Sequence, residues 1–109
     1  MKDLDRVIHE PARLQVVALL SAVKEADFLY IARATGFTKG NLSSHLAKLE
    51  EAQYVVIEKT FRGKIPLTVI RLTESGRSAF QEYRKQLDEL LRTPAQGKGK
   101  RLRQATQEG

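Results

Sequence analysis

The sequence predicts a mainly α chain with a small β-hairpin (α+β): short helices first, then the hairpin, then one long helix. Three observations predict it. Apolar residues recur at helical spacing through most of the first half of the chain. Two runs rich in β-branched residues, 54–61 and 67–72, flank the turn sequence Arg62-Gly63-Lys64-Ile65-Pro66. Beyond them Phe80, Tyr83, Leu87 and Leu90 follow at spacings of three, four and three, the seam pattern of a packed helix.

Taken in order, residues 3–9 read as a short helix with Leu4, Val7 and Ile8 on one side. Pro11 suits the first turn of the next helix, where its missing N–H costs nothing. That helix extends to about Lys24. Leu14, Val16, Val17, Ala18, Leu19, Leu20 and Val23 nearly encircle it, so burial on most sides is expected, in part by a partner subunit. Asp27 is expected to cap a second helix over residues 28–35, with Phe28, Ile31, Ala32 and Thr35 facing inward. Gly36 is a stop signal, Phe37 packs inward, and Thr38 caps a third helix that ends at Gln53. Two short helices joined by Gly36-Phe37-Thr38 are the helix-turn-helix signature. The hairpin has a basic tip at Arg62 and Lys64, and Thr73 caps a final helix over residues 74–92. Residues 93–109 hold Pro94, Gly97 and Gly99, a net charge of +3, and Leu102 as their one large apolar residue. They have almost nothing to bury and are expected to form a disordered basic tail. Residues 1–92 are then the folded domain.

The third helix has two faces. Leu42, Leu46 and Leu49 make an apolar stripe. Asn41, Ser44, His45 and Lys48 make a second stripe of small hydrogen-bonding groups and cations. No carboxylate appears before Glu50 and Glu51. Such a helix can dock on a core with one face and meet nucleic acid with the other, because a major-groove helix points its N-terminal part at the bases. Asn can bond adenine bidentately, Lys can reach guanine or phosphate, and Ser can bond either kind of edge. Thr38 and Lys39 sit at the helix start, where the dipole favours phosphate.

Composition narrows the partner. A net charge of +6 on 109 residues favours a polyanion, nucleic acid or an anionic membrane surface. The chain has no cysteine, which excludes disulfides, thiolate metal sites and thiol switches. It has no apolar run long enough to span a bilayer and no apolar leader, so no membrane association is expected and the expected location is cytoplasmic, with the nucleoid. Phosphate-cradling glycine loops, paired carboxylates with a histidine and nucleophile elbows are missing, so no catalytic residue, no metal ligand, no cofactor and no enzyme activity are expected. His9-Glu10 reads as structural or solvated. Phe28, Phe37, Phe61, Phe80 and Tyr83 read as core or interface residues, since they sit at core-facing spacing.

Four segments, taken together, resemble winged-helix transcriptional regulators of the MarR/ArsR type found in bacteria and archaea. They are His9-Glu10-Pro11-Ala12-Arg13-Leu14, the segment from Ile31 to Thr38, the segment from Asn41 to Glu50, and Leu72-Thr73-Glu74-Ser75-Gly76-Arg77. Their order and spacing match over roughly residues 4–91. The resemblance implies a winged helix-turn-helix with an added C-terminal dimerisation helix, acting as a homodimer on double-stranded DNA. Helix three would enter the major groove, and the wing tip at Arg62 and Lys64 would lie on the backbone or minor groove. Two departures stand out. Gln53 occupies a place where this group usually has Gly, and the cysteine ligands of its metal-sensing members are absent.

The expected DNA-binding set is therefore Thr38, Lys39, Asn41, Ser44, His45, Lys48, Arg62 and Lys64, with Lys59, Thr60 and Arg71 as extensions. The expected dimer interface is Leu4, Val7, Ile8, Phe80, Tyr83, Leu87 and Leu90. Two other readings stay open: a winged-helix protein-interaction module without base readout, and a non-specific DNA-packing protein driven by charge. A small-molecule effector site between the dimer helices and the DNA-binding part also stays open, with no residue marking it.

Overall fold

The computed structural model describes residues 3–97. Elements run α1 (Pro11–Ser21), β1 (Ala26–Asp27), α2 (Phe28–Thr35), α3 (Lys39–Glu51), β2 (Val55–Arg62), β3 (Ile65–Leu72) and α4 (Glu74–Gly97). The strands form one antiparallel sheet in the order β1-β3-β2. Val16, Val17 and Leu20 of α1, Ile31 of α2, Leu42, Leu46 and Leu49 of α3, and Ile70 of β3 fill one core under that sheet. This is the winged helix-turn-helix that the resemblance implies. No helix among the described residues is long and apolar enough to cross a membrane.

Local chemistry sets most of the boundaries. Glu10 is the N-cap of α1, its carboxylate accepting the Arg13 N–H at 2.7 Å, and Pro11 follows in the first turn. Gly36 ends α2 in the left-handed region at φ 79°. Thr38 caps α3, its hydroxyl accepting the Asn41 N–H at 3.1 Å. Thr73 caps α4 through the Gly76 N–H at 2.9 Å. Gly63, at φ 63°, takes the first position of a two-residue turn between paired Arg62 and Ile65, the arrangement a type II′ hairpin asks of glycine.

Several expectations are corrected. Residues 3–9 form no helix. Asp5 instead caps a single turn, its Oδ1 accepting Val7 N–H at 2.9 Å and Ile8 N–H at 3.1 Å. Pro11 favours extended backbone at Glu10 (φ −152°, ψ 128°), which stops the turn from propagating. Helix α1 ends at Ser21 rather than Lys24; Val16, Val17 and Leu20 are buried, Leu14 and Leu19 half-buried, and Ala18 and, past its end, Val23 exposed. Asp27 occupies the N-cap position of α2, yet its side chain makes no cap bond; its backbone is paired in β1 with Val69. Both hairpin strands run closer to the tip than expected and take in Ile65 and Pro66. Pro66 is tolerated because β1 flanks β3 only at Val69 and Ile70, so no second partner needs its missing N–H. Helix α4 continues past Arg92 to Gly97, so residues 93–97 are helical rather than tail. The remainder of the expected tail, residues 98–109, lies outside the described residues.

The end of α3, the start of β2 and the start of α4 meet at one junction. Gln53 turns into the left-handed region at φ 66°, which lets Tyr54 N–H return to the Leu49 carbonyl at 2.9 Å. The Gln53 carbonyl accepts the Thr73 hydroxyl at 2.7 Å, and the Tyr54 carbonyl accepts the Thr73 N–H at 3.0 Å. Gly76 lies so close that a Cβ there would sit 2.2 Å from the Tyr54 carbonyl oxygen. The phenol of Tyr54 donates to Asp5, tying the N-terminal turn to the same place.

Opposite effects are expected from two glycine changes here. Gln53→Gly relieves a side chain from a conformation that costs roughly 1–2 kcal/mol, less the freedom glycine adds to the unfolded chain. A net gain of about 0.5–1 kcal/mol, several degrees in Tm, should appear in calorimetry at fixed protein concentration. Gly76→Ala should lose about 1–3 kcal/mol by overpacking.

A pH-dependent effect is expected at Tyr54. Its hydrogen bond to Asp5, then burial, then the Asp5 charge push the phenol from 10.0 up to about 12. The folded chain therefore holds this proton more tightly than the unfolded chain. The resulting stability is fully present below about pH 10 and is lost as pH rises through about 12. Tyr54→Phe should cost about 1–2 kcal/mol in urea unfolding at neutral pH. Its deficit relative to wild type should shrink across that alkaline window.

Candidate nucleic-acid interface

Helix α3 is held by the face it buries. Leu42, Leu46 and Leu49 are closed off from water, at about 1.5–3 kcal/mol of transfer free energy for each such side chain. What remains outside is Lys39, Asn41, Ser43, Ser44, Ala47 and Lys48, followed by Glu50 and Glu51. Thr38 and Lys39 are exposed at the N-terminus, where the Thr38 hydroxyl already satisfies one free amide. Of the expected contacts on this element, Thr38, Lys39, Asn41, Ser44 and Lys48 are thus presented to solvent together.

His45 is placed differently. It is half-buried on the flank of α3, with Nδ1 3.4 Å from Arg13 Nη1 and 3.9 Å from Glu10 Oε1. Its ring lies against Phe37, centroids 6.3 Å apart. Arg13 in turn donates from Nε to the Val7 carbonyl at 2.7 Å. The amide N–H of Arg13 holds the Glu10 carboxyl below its ordinary value; burial opposes this, and the nearby His45 and Arg13 side chains add to the lowering. His45 therefore seats α3 on the start of α1 and is less exposed than Asn41, Ser44 and Lys48, with 23% of its side chain open to solvent.

Ser43 and Ala47 belong to the exposed face and were absent from the expected set. The helical spacing of Ser43, Ala47 and Glu50 could have found them as one edge. They line a crevice of about 330 Å3 between α3 and the sheet, closed on the other side by Phe28, Ile57, Lys59 and Thr68. The hairpin projects past this crevice. Arg62 and Lys64 are exposed at its tip, as expected, and no carboxylate occurs in residues 59–68. Lys59 faces the crevice. Arg71 is engaged by Glu58 at 3.0 Å, an exposed pair worth little to stability that nonetheless neutralises it. Thr60 is exposed beside them. Phe61 lies outside this chain's core, 68% exposed.

The expected dimer seam divides in two. Ile8, Phe80 and Tyr83 are buried in the core of a single chain, Tyr83 also meeting His9 Nδ1 at 2.8 Å, so these three are corrected to core residues. Leu4 and Val7 are half-buried against the same core. Only the distal part of the seam reaches water: Leu87 is half-buried, Leu90 is 38% exposed, and Leu91, not anticipated, is 68% exposed. The spacing identified the apolar side of α4 but carried no information on where the chain's own core ends along it.

Comparison with known proteins gives the following. A family model described as a winged helix DNA-binding domain matches residues 12–91. An uncharacterised protein of Methanocaldococcus jannaschii, MJ0432, is 34% identical over 79 residues, spanning 72% of this chain and 85% of its own length. Among solved structures, a transcriptional regulator homologue protein from Pyrococcus horikoshii OT3 aligns with a TM-score of 0.76 at 26% identity, over 80% of this chain and 86% of that one. The homodimeric winged helix-turn-helix DNA-binding domain of Mb0332 from Mycobacterium bovis aligns with a TM-score of 0.64 at 26% identity, over 79% of this chain and 76% of that one.

Proposed function

Because the chain belongs to the winged helix DNA-binding domain family, we propose that it is a transcriptional regulator that binds a two-fold DNA site as a homodimer and chooses that site by sequence. One observation carries the reading. The exposed face of α3 offers Asn41, Ser43, Ser44 and Lys48 without a carboxylate until Glu50, while three buried leucines fix its direction. Asn41, Ser44 and Lys48 meet base edges and nearby phosphates in the major groove. Thr38 and Lys39 meet phosphate at the helix start. Arg62 and Lys64 bring the hairpin tip onto the backbone, which positions the helix and supplies affinity for any duplex. His45 positions α3 through Glu10 and Arg13 and touches no base.

The dimer reading rests on the apolar end of α4, on Leu87, Leu90 and Leu91, and on likeness to a homodimeric domain. A two-fold axis through that end would set two recognition helices on half-sites about one helical turn, ~34 Å, apart.

Asn41→Ala should cost roughly 1–3 kcal/mol on the preferred duplex and relax the choice of base there. Arg62→Ala and Lys64→Ala should weaken preferred and random duplexes alike, each lowering the salt slope by about 1. His45→Ala should lower Tm and weaken all duplexes evenly. Fluorescence anisotropy on fragments selected from genomic DNA, at two salt concentrations, separates these outcomes. Equal losses on preferred and random DNA for Asn41→Ala would count against base readout.

Leu87→Glu places a charge in the proposed helix–helix contact at a site the monomer's core does not fully enclose. It should leave the fold intact and turn a dimer into a monomer in sedimentation at micromolar concentration. A wild-type chain that sediments as a monomer sinks the dimer reading.

A further inference from the structure

The hairpin tip exposes two large apolar side chains, Phe61 at 68% and Ile65 at 64%. Register decides where they face, since side chains alternate between the two sides of a strand. Ile57 pairs with Ile70, Lys59 with Thr68 and Phe61 with Pro66, so these pairs share one side of the hairpin. Ile57, Lys59 and Thr68 line the crevice against α3. Phe61 and Pro66 continue that side beyond the crevice, toward the region the exposed face of α3 also addresses. Ile65 pairs with Arg62 and lies on the other side.

The surroundings of the Phe61–Pro66 pair are cationic. Lys59 shares its side, with Glu50 of α3 across the crevice, Lys64 stands in the turn, Arg62 flanks the turn on the side of Ile65, and the closest acid in sequence, Glu58, is engaged by Arg71. An apolar pair at a strand end that carries Lys59, Arg62 and Lys64 on its two sides and in its turn is complementary to the minor groove of a duplex, where sugars and base edges lie between two phosphate rails. Phe and Pro are among the side chains that wedge between base steps there, and cations beside them hold the flanking phosphates. An anionic membrane also pairs charge with apolar depth. The side on which Phe61 lies favours the duplex, because α3 and the hairpin then meet one surface.

We propose that Phe61, backed by Pro66, is a minor-groove wedge that partly unstacks a flexible base step and bends the bound duplex. The hairpin then reads deformability, favouring TA and CA/TG steps, in addition to gripping phosphate. This rests on the DNA-binding reading above.

The test uses the full chain and a fluorescein-labelled duplex of about 30 base pairs, roughly three helical turns, with 2-aminopurine at a central TA step. Low salt ensures that sequence-independent binding is seen. Wild type should raise 2-aminopurine fluorescence as the step unstacks. Phe61→Ala should melt like wild type, bind roughly five- to hundredfold more weakly, and leave the fluorescence unchanged. Phe61→Leu should keep most of both effects, and Ile65→Ala should behave as wild type. If Phe61→Ala binds and unstacks like wild type while Arg62→Ala weakens binding, the wedge is overturned and the DNA reading stands. If wild type binds no duplex, both fall. If Phe61→Ala instead changes the oligomeric state, or abolishes binding to phosphatidylserine vesicles with duplex binding untouched, Phe61 is a protein or lipid contact and the wedge is overturned.

Discussion

Leu42, Leu46 and Leu49 lie along one side of α3 and are shut off from water, and that burial fixes which side of the helix is left to meet a partner. Truncating any one of them to alanine would cost about 2–5 kcal/mol, a large share of the 5–15 kcal/mol that holds a small domain together. Rotation of α3 about its axis is therefore not a soft degree of freedom. The small polar groups and lysines on its outer face stand at fixed positions relative to the hairpin, and a fixed spacing between a groove-reading helix and a backbone-gripping hairpin is what a duplex demands. Thr38, Glu10, Arg13 and His45 secure the helix at its start and along its flank, so the anchoring does not depend on the core alone.

The far end of α3 is secured at the Gln53–Tyr54 junction, where the α3–β2 connection accepts hydrogen bonds from the N–H and hydroxyl of Thr73 at the start of α4 and the phenol of Tyr54 reaches Asp5. Gln53 bears a left-handed conformation that glycine would adopt without cost, and the surrounding bonds hold it there. Gly76 bears the complementary constraint: the first turn of α4 sits against the Tyr54 carbonyl with no room for a side chain. The direction in which α4 leaves the domain, and with it the place of Leu87, Leu90 and Leu91, follows from this close approach.

Features governed by neighbours in sequence were legible without the structure. Pro11, Gly36, Thr38 and Thr73 act within a few residues of themselves, and the structure places each where the local chemistry predicts. The two faces of α3 follow from periodicity and were legible too, although the split between its outer face and its flank was not. His45 repeats at the same interval as Asn41 and Lys48, and only the approach of α1 turns it inward. Strand β1 is two residues long, too short for any pattern to show. Phe80 and Tyr83 have the spacing of a partner-facing seam, yet the chain's own sheet and α1 reach them first. Phe61 read as core or interface from its spacing along the strand, and its exposure follows from hairpin strands that extend past the crevice beside α3.

The claim that two rigidly spaced readers of one duplex are joined by α4 is tested most directly by hydroxyl-radical footprinting of the protein on DNA selected from genomic fragments. The account predicts two protected windows about one helical turn apart on one side of the duplex, each with flanking minor-groove protection from a hairpin. A single window, or even protection with no preferred sequence, would contradict it.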